Sequence, residues 1–136
     1  MINSLLDNIQ SLITLSEAER DIVTSLFKEK IYKKGDFFLS EGQICKHVGF
    51  IQTGLMRYYI NHDGEEKTYS FSQEDQYVCN YESFIPQSPS SKIIQALEDS
   101  RVFVISHSDL QSLYASVSQD RPGPFYRRIW NNRQVS

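Results

Sequence analysis

The sequence predicts a mainly β fold, a jelly-roll (double-stranded β-helix) barrel with helices flanking it at the N- and C-terminal ends. Three observations carry this expectation. From Lys28 onward, short β-branched and aromatic runs are separated by turn signals at fairly regular spacing: Lys34-Gly35-Asp36, Glu41-Gly42, Thr53-Gly54, Asp63-Gly64, Glu74-Asp75 and Glu98-Asp99. Ahead of them, apolar residues recur three and four apart, the period of a helix with one buried face. The chain has 136 residues, 40% hydrophobic and 12% aromatic, enough for one packed core of ordinary domain size and too few for two.

Leu5, Leu6, Ile9, Leu12 and Ile13 define a short helix over about 4–13. Ser16-Glu17-Ala18-Glu19 then reads as a capping box, with the Ser16 hydroxyl accepting from the Glu19 backbone while the Glu19 side chain reaches back. A second helix follows to about Phe27, burying Ile22, Val23, Leu26 and Phe27. Strands are expected at about 29–33, 36–40, 46–52, 55–61, 66–72, 76–79, 92–98 and 101–106. Val48 to Gln52 and Leu55 to Ile60, joined by Thr53-Gly54, read as the clearest strand pair. Asp63-Gly64 then folds the second of these against Lys67 to Phe71, because Asp-Gly readily takes the two positive φ values of a tight hairpin turn. After Ile105, Ser106 caps a helix through Asp109 to about Val117, and Pro122-Gly123-Pro124 breaks the chain. The expected organisation is one domain over 1–136: helices about 4–27, barrel about 28–106, and a C-terminal helix and tail 107–136.

Fourteen Lys and Arg against seventeen Asp and Glu leave a net charge of −3, so the chain lacks the positive field that gives non-specific nucleic-acid affinity. The longest apolar runs, such as Val102-Phe103-Val104-Ile105, are too short to cross a bilayer, and the N-terminal stretch has no basic flank ahead of an apolar run; no membrane partner and a cytoplasmic location are expected. Cys45 and Cys79 can form at most one disulfide and are too few for a four-cysteine metal site; reduced thiols are expected. Lys28, Lys30, Lys33 and Lys34 read as a solvated strand edge that discourages edge pairing. No nucleophile elbow, phosphate-binding loop, dinucleotide fingerprint or zinc-protease helix occurs, so no enzyme class has support. His47, His62 and His107 are scattered with no His-x-His pair, and surface or capping positions are expected rather than metal ligation. No metal and no cofactor are expected.

Taken together, Tyr32-Lys33-Lys34-Gly35-Asp36-Phe37, Glu41-Gly42, Val48 to Tyr59 and Ala96-Leu97-Glu98-Asp99-Ser100-Arg101-Val102 are similar to the cyclic-nucleotide-binding sensor domain of Crp/Fnr-type bacterial transcription regulators. The resemblance covers roughly residues 15 to 117. It implies a phosphate-binding cassette between the sixth and seventh strands, with a Gly-Glu pair for the turn and the ribose and an Arg for the cyclic phosphate. Here Cys79 stands in the glycine's place, Asn80 in the acid's and Ser91 in the arginine's. Losing one partner of a buried Arg–phosphate pair costs on the order of 2–5 kcal/mol, so usual binding of cyclic AMP or cyclic GMP is not expected. Strand alternation would point Lys92 to the face opposite Ser91.

The ligand-contacting candidates are therefore Cys79, Asn80, Tyr81, Glu82, Ser83, Ser91 and Lys92, with Arg57 and Tyr69 from the barrel. Arg57, Tyr58 and Tyr59 alternate on one strand, so one or two face the interior. Glu82 and Ser83 either contact a polar ligand or cap a short helical turn; Cys79 is either a small buried apolar residue or a redox-sensing thiol. Under the family geometry Tyr69, Phe71, Phe84 and Ile85 would line or close an apolar pocket.

Phe125 with Ile129 and Tyr126 with Trp130 are each four apart, the spacing of a helix that could begin a dimerisation interface. The roughly thirty residues after Ile105 leave no room for a helix-turn-helix reader, so the resemblance implies the sensor half of a regulator: a homodimer that answers to an unidentified small-molecule effector and contacts DNA only through a C-terminal domain absent from this chain. The alternatives from other classes are a ligand-independent dimerisation or protein-interaction module and, further off, a cupin-like metal enzyme.

Overall fold

The computed structural model describes residues 2–117; the Pro-Gly-Pro segment and the aromatic tail lie outside the described residues. Two helices open the chain, α1 (Asn3–Leu12) and α2 (Glu17–Leu26). Leu5, Leu6 and Ile9 form the buried face of α1, as their spacing predicts. The capping box of α2 is complete, with the Glu19 amide donating to Ser16 Oγ at 3.1 Å and the Ser16 amide to Glu19 Oε1 at 2.9 Å. Two of the orphan amides at the start of α2 are thereby satisfied without water.

Eight strands follow: β1 (Lys28–Tyr32), β2 (Phe37–Leu39), β3 (His47–Thr53), β4 (Leu55–His62), β5 (Glu65–Gln73), β6 (Tyr77–Val78), β7 (Ile93–Ala96) and β8 (Ser100–Ser106). A short helix, α3 (Tyr81–Phe84), interrupts them, and α4 (His107–Val117) closes the described chain with the Asp109 amide capped by Ser106 Oγ at 3.1 Å. The strands form two four-stranded antiparallel sheets, ordered β1-β8-β3-β6 and β2-β7-β4-β5, the mainly β jelly-roll expected from the turn spacing. The lysine-bearing strand β1 lies at a sheet edge. One apolar cluster runs from Leu5, Ile9 and Val23 in the helices through Ile51, Met56, Ile94 and Val102 to Leu110 and Leu113 in α4. Burying a side chain of this size contributes roughly 1.5–3 kcal/mol, which is what holds the helices against the barrel.

The Asp63-Gly64 turn has φ of 52° and 83°, and β4 pairs with β5 across it, as the sequence predicts. The expected pairing of Val48–Gln52 with Leu55–Ile60 is wrong. β3 pairs with β6 and β8, whereas β4 pairs with β5 and β7 in the other sheet. The reason is length: only Gly54 separates Thr53 from Leu55, too little chain for a hairpin reversal. A register shift between Ile51 and Thr53 bends β3 just before it, and Gly54, at φ 121°, carries the chain around the corner from one sheet to the other. There it presses on Ser100, whose hydroxyl accepts from the Leu55 amide at 3.3 Å.

A Cβ on Gly54 would lie 2.1 Å from Ser100 Oγ and 2.7 Å from Ser100 Cα, whereas one on Gly42, also at positive φ, would meet nothing within 4 Å. Gly54→Ala is expected to lose about 3 kcal/mol or more from combined strain and overpacking, and Gly42→Ala about 1 kcal/mol. Urea unfolding midpoints of the two variants measure the difference.

Candidate functional site

A cavity of about 510 Å³ opens between strands β4 and β5 of the second sheet and the segment that links β6 to β7. Tyr58 and Ile60 of β4, and Lys67, Thr68 and Tyr69 of β5, form one wall; Cys79, Asn80, Tyr81, Glu82 and Lys92 form the other. Adjacent residues of β5 line it because the ladder slips there: Tyr58 pairs with Ser70 but Tyr59 with Thr68, leaving Tyr69 as an extra residue on β5. A bulge of this kind re-aims a side chain that strict alternation would send elsewhere. Tyr69 meets the ring of Tyr58 edge-on at 6.0 Å and stays 44% exposed at the cavity mouth.

The linking segment is anchored from below by buried hydroxyls. The Cys79 amide donates to Tyr58 Oη at 3.2 Å, Tyr58 Oη lies 3.0 Å from Ser72 Oγ, and Ser72 Oγ donates to the Tyr77 carbonyl at 2.8 Å. Because the Ser72 proton is committed to that carbonyl, Tyr58 must be the donor to Ser72. Burial holds the Tyr58 phenol well above its ordinary pKa, so it remains a proton donor throughout the accessible range. Asn80 and Ser90 tie the two ends of the segment together, Asn80 Nδ2 donating to Ser90 Oγ at 2.7 Å. Ser83, on α3, is buried, accepting from the Cys45 amide at 2.8 Å and donating to the Ser88 carbonyl.

Charge in the cavity comes from Lys67, Lys92 and Glu82. Lys92 Nζ sits 2.5 Å from Glu82 Oε1 and 5.6 Å from the centre of the Tyr69 ring. The hydrogen bond and charge of Lys92 hold the Glu82 carboxyl below the usual carboxylate range. Burial, with a contribution from the Glu82 charge, pushes the Tyr69 phenol up to about 12. The Lys92–Glu82 pair thus leaves little net field of its own, and Glu82, 77% exposed, is held only loosely by it.

Residues 29–117 match the family model described as the cyclic nucleotide-binding domain. The chain belongs to the cyclic nucleotide-binding domain family. No curated protein matches it. Among solved structures, it is similar to the catabolite activator protein of Thermus thermophilus (18% identity, TM-score 0.69, covering 89% of this chain and 53% of that one). It is also similar to the regulatory subunit of a cAMP-independent protein kinase A from Trypanosoma brucei (16%, 0.71, 86% and 43%). A third likeness is to the N-terminal domain of a transcriptional regulator from Streptomyces coelicolor A3(2) (18%, 0.63, 75% and 71%). The chain therefore spans about half the length of the Thermus protein.

In this cyclic nucleotide-binding domain, the candidates Cys79, Asn80, Tyr81, Glu82, Lys92 and Tyr69 line one cavity. Three candidates do not. Ser91 is exposed and Lys92 lines the cavity, the reverse of the expected facing. The two residues precede β7, and Ser90 Oγ, bonded to both the amide and the carbonyl of Lys92, sets their orientation in place of strand alternation. Arg57 lies outside the lining, donating to Glu66 Oε1 at 2.8 Å, Gln95 Oε1 at 3.0 Å and Thr68 Oγ1 at 3.2 Å; its neighbour Tyr58 faces the cavity instead. Ser83 is a structural hydrogen-bonding residue, absent from the lining. Of the apolar residues expected to close the pocket only Tyr69 does so: Phe71 and Ile85 are about half exposed at 52% and 51%, and Phe84 is buried with its ring on that of His107.

Sequence reasoning missed Ile60, which shares the face of Tyr58 by alternation along β4, and Lys67 and Thr68, which adjoin the Tyr69 bulge on β5. A short helical turn is present as α3, but neither Glu82 nor Ser83 caps it: both lie within it and Asn80 is its N-cap. Among the described residues, no three His, Cys, Asp or Glu side chains are grouped so as to hold a metal ion. His47 is half-buried at the start of β3, and burial lowers its pKa.

Tyr58→Phe removes the hydroxyl that serves both the Cys79 amide and Ser72. It is expected to cost about 2 kcal/mol, with faster hydrogen exchange at the Cys79 amide. Denaturant unfolding and amide exchange by NMR check the two effects together.

Proposed function

We propose that this chain is a non-enzymatic regulatory sensor domain of a Crp/Fnr-like transcription regulator, and that its cavity takes a small effector other than a cyclic nucleotide held in the family's usual way. One observation carries the reading: no arginine lines the cavity among the described residues, and Lys92, on the linking segment, is already bonded to Glu82. An ammonium is a point charge on a flexible stem. It does not present the planar fork that binds two phosphate oxygens at once. Asn80, in the acid's place, is committed by its amide to Ser90.

The effector this lining suits is a compact molecule with an apolar or aromatic body, to lie against Tyr58, Tyr69 and Tyr81, and a polar end that competes with the Lys92–Glu82 bond. A likeness in fold does not by itself imply cAMP, since one structural neighbour is described as the regulatory subunit of a cAMP-independent protein kinase A. In this reading the protein works in the cytoplasm as a homodimer, and binding shifts the dimer between two geometries by differential affinity. DNA is contacted by a further domain of a longer chain. No described helix is long and apolar enough to cross a membrane.

A thermal-shift screen of small acids, amines and aromatic metabolites tests the proposal. A true effector at a hundred times its dissociation constant should add roughly 2.7 kcal/mol of stability, and Lys92→Met with Glu82→Gln should reduce that gain. If no compound shifts the transition while the protein self-associates in sedimentation, the ligand-independent interaction module is the better description.

A further inference from the structure

Beneath the cavity floor, two cysteines distant in sequence come together. Cys45 lies in the loop between β2 and β3, Cys79 between β6 and α3, and their sulfurs are 3.8 Å apart with no disulfide between them. Both residues are buried, at 2% and 3% exposure, and Cys79 is one of those that line the cavity. We propose that Cys45 and Cys79 form a redox-active pair, which a hydroperoxide entering the cavity converts to a disulfide.

The surroundings favour closure. The Cys45 backbone is gripped on both sides by the linking segment, its amide donating to Ser83 Oγ at 2.8 Å and its carbonyl accepting from Gln87 Nε2 at 3.0 Å. The Cys79 amide is held by Tyr58 Oη. With both backbones located, the sulfurs need to approach by about 1.8 Å to reach bonding distance, a movement within the range of side-chain rotation. The Cys79 thiol, hydrogen-bonded to the Cys45 sulfur, holds the Cys45 thiol below its ordinary pKa against the opposing effect of burial, which favours Cys45 as the second nucleophile.

The chemistry balances with hydrogen peroxide as oxidant. The Cys79 sulfur attacks one peroxide oxygen and the O–O bond breaks, leaving a sulfenic acid on Cys79 and a hydroxide that takes up the thiol proton as water. The Cys45 sulfur then attacks the Cys79 sulfur; the S–S bond forms, the S–O bond breaks, and the hydroxyl leaves with the Cys45 proton as a second water. The two sulfurs together lose two electrons and the peroxide gains them. The product joins the β2–β3 loop covalently to the residue that opens the linking segment. This inference stands whether or not the cavity takes an effector.

Stepwise addition of hydrogen peroxide to the reduced 136-residue chain tests it, with quenching by alkylation, intact-mass measurement and peptide mapping. The expected result is loss of both thiols together, a mass decrease of two hydrogens, a linked Cys45–Cys79 peptide pair within one chain, and full reversal by dithiothreitol. In the Cys45→Ser variant, dimedone should instead trap a sulfenic acid on Cys79. Two unchanged thiols in the folded wild-type chain, a disulfide only between chains, or Cys79 gaining two or three oxygens while Cys45 stays reduced would each overturn the proposal without reliance on any variant folding.

Discussion

The hydroxyl of Tyr58 joins parts of this protein that the backbone leaves separate. It projects from β4 of one sheet, donates to Ser72 on β5, and accepts from the amide of Cys79 just beyond β6, a strand of the other sheet. Ser72 in turn holds the Tyr77 carbonyl. A buried hydroxyl without partners costs free energy, and so does a buried amide; one tyrosine placed at their meeting point satisfies both. The start of the linking segment is therefore seated at a defined height over the second sheet, and the cavity between them takes its depth from that bond.

This platform carries the cavity's charge pattern, on which the proposed function rests. Lys92 reaches the lining because Ser90 and Asn80 lock the residues ahead of β7 out of strand alternation. Its ammonium meets Glu82, from the first turn of α3, over the ring of Tyr69. A guanidinium in a similar place would offer two parallel N–H groups to a phosphate, whereas an ammonium already shared with a carboxylate offers a weaker and less directional attraction. In the function proposed above, selectivity rests more heavily on shape and on the three tyrosines than on an anion clamp.

Much of the fold was legible from local chemistry. The capping box at Ser16 and Glu19, the Asp63-Gly64 hairpin and the Ser106 cap are each specified by neighbouring residues, and the structure contains all three. The misreadings arose where a distant residue intervenes. Thr53-Gly54 carries the same turn signal whether the chain reverses or rounds a corner, and the contact with Ser100 across the fold distinguishes them. Alternation along β4 could not say whether Arg57 or Tyr58 faces inward; the partners of Arg57 on β5 and β7 supply the answer. The facing of Lys92 depends on a serine–asparagine bond ten residues apart in sequence, and the exposure of Tyr69 to the cavity on a register slip, neither of which a periodic pattern encodes.

The most direct measurement is isothermal calorimetry of the reduced protein with cyclic AMP. A cavity whose linking-segment cation is an ammonium bonded to Glu82 predicts no saturable heat in the micromolar range. A tight one-to-one isotherm, lost in Lys92→Met, would show that a lysine can replace the guanidinium here and would contradict the account.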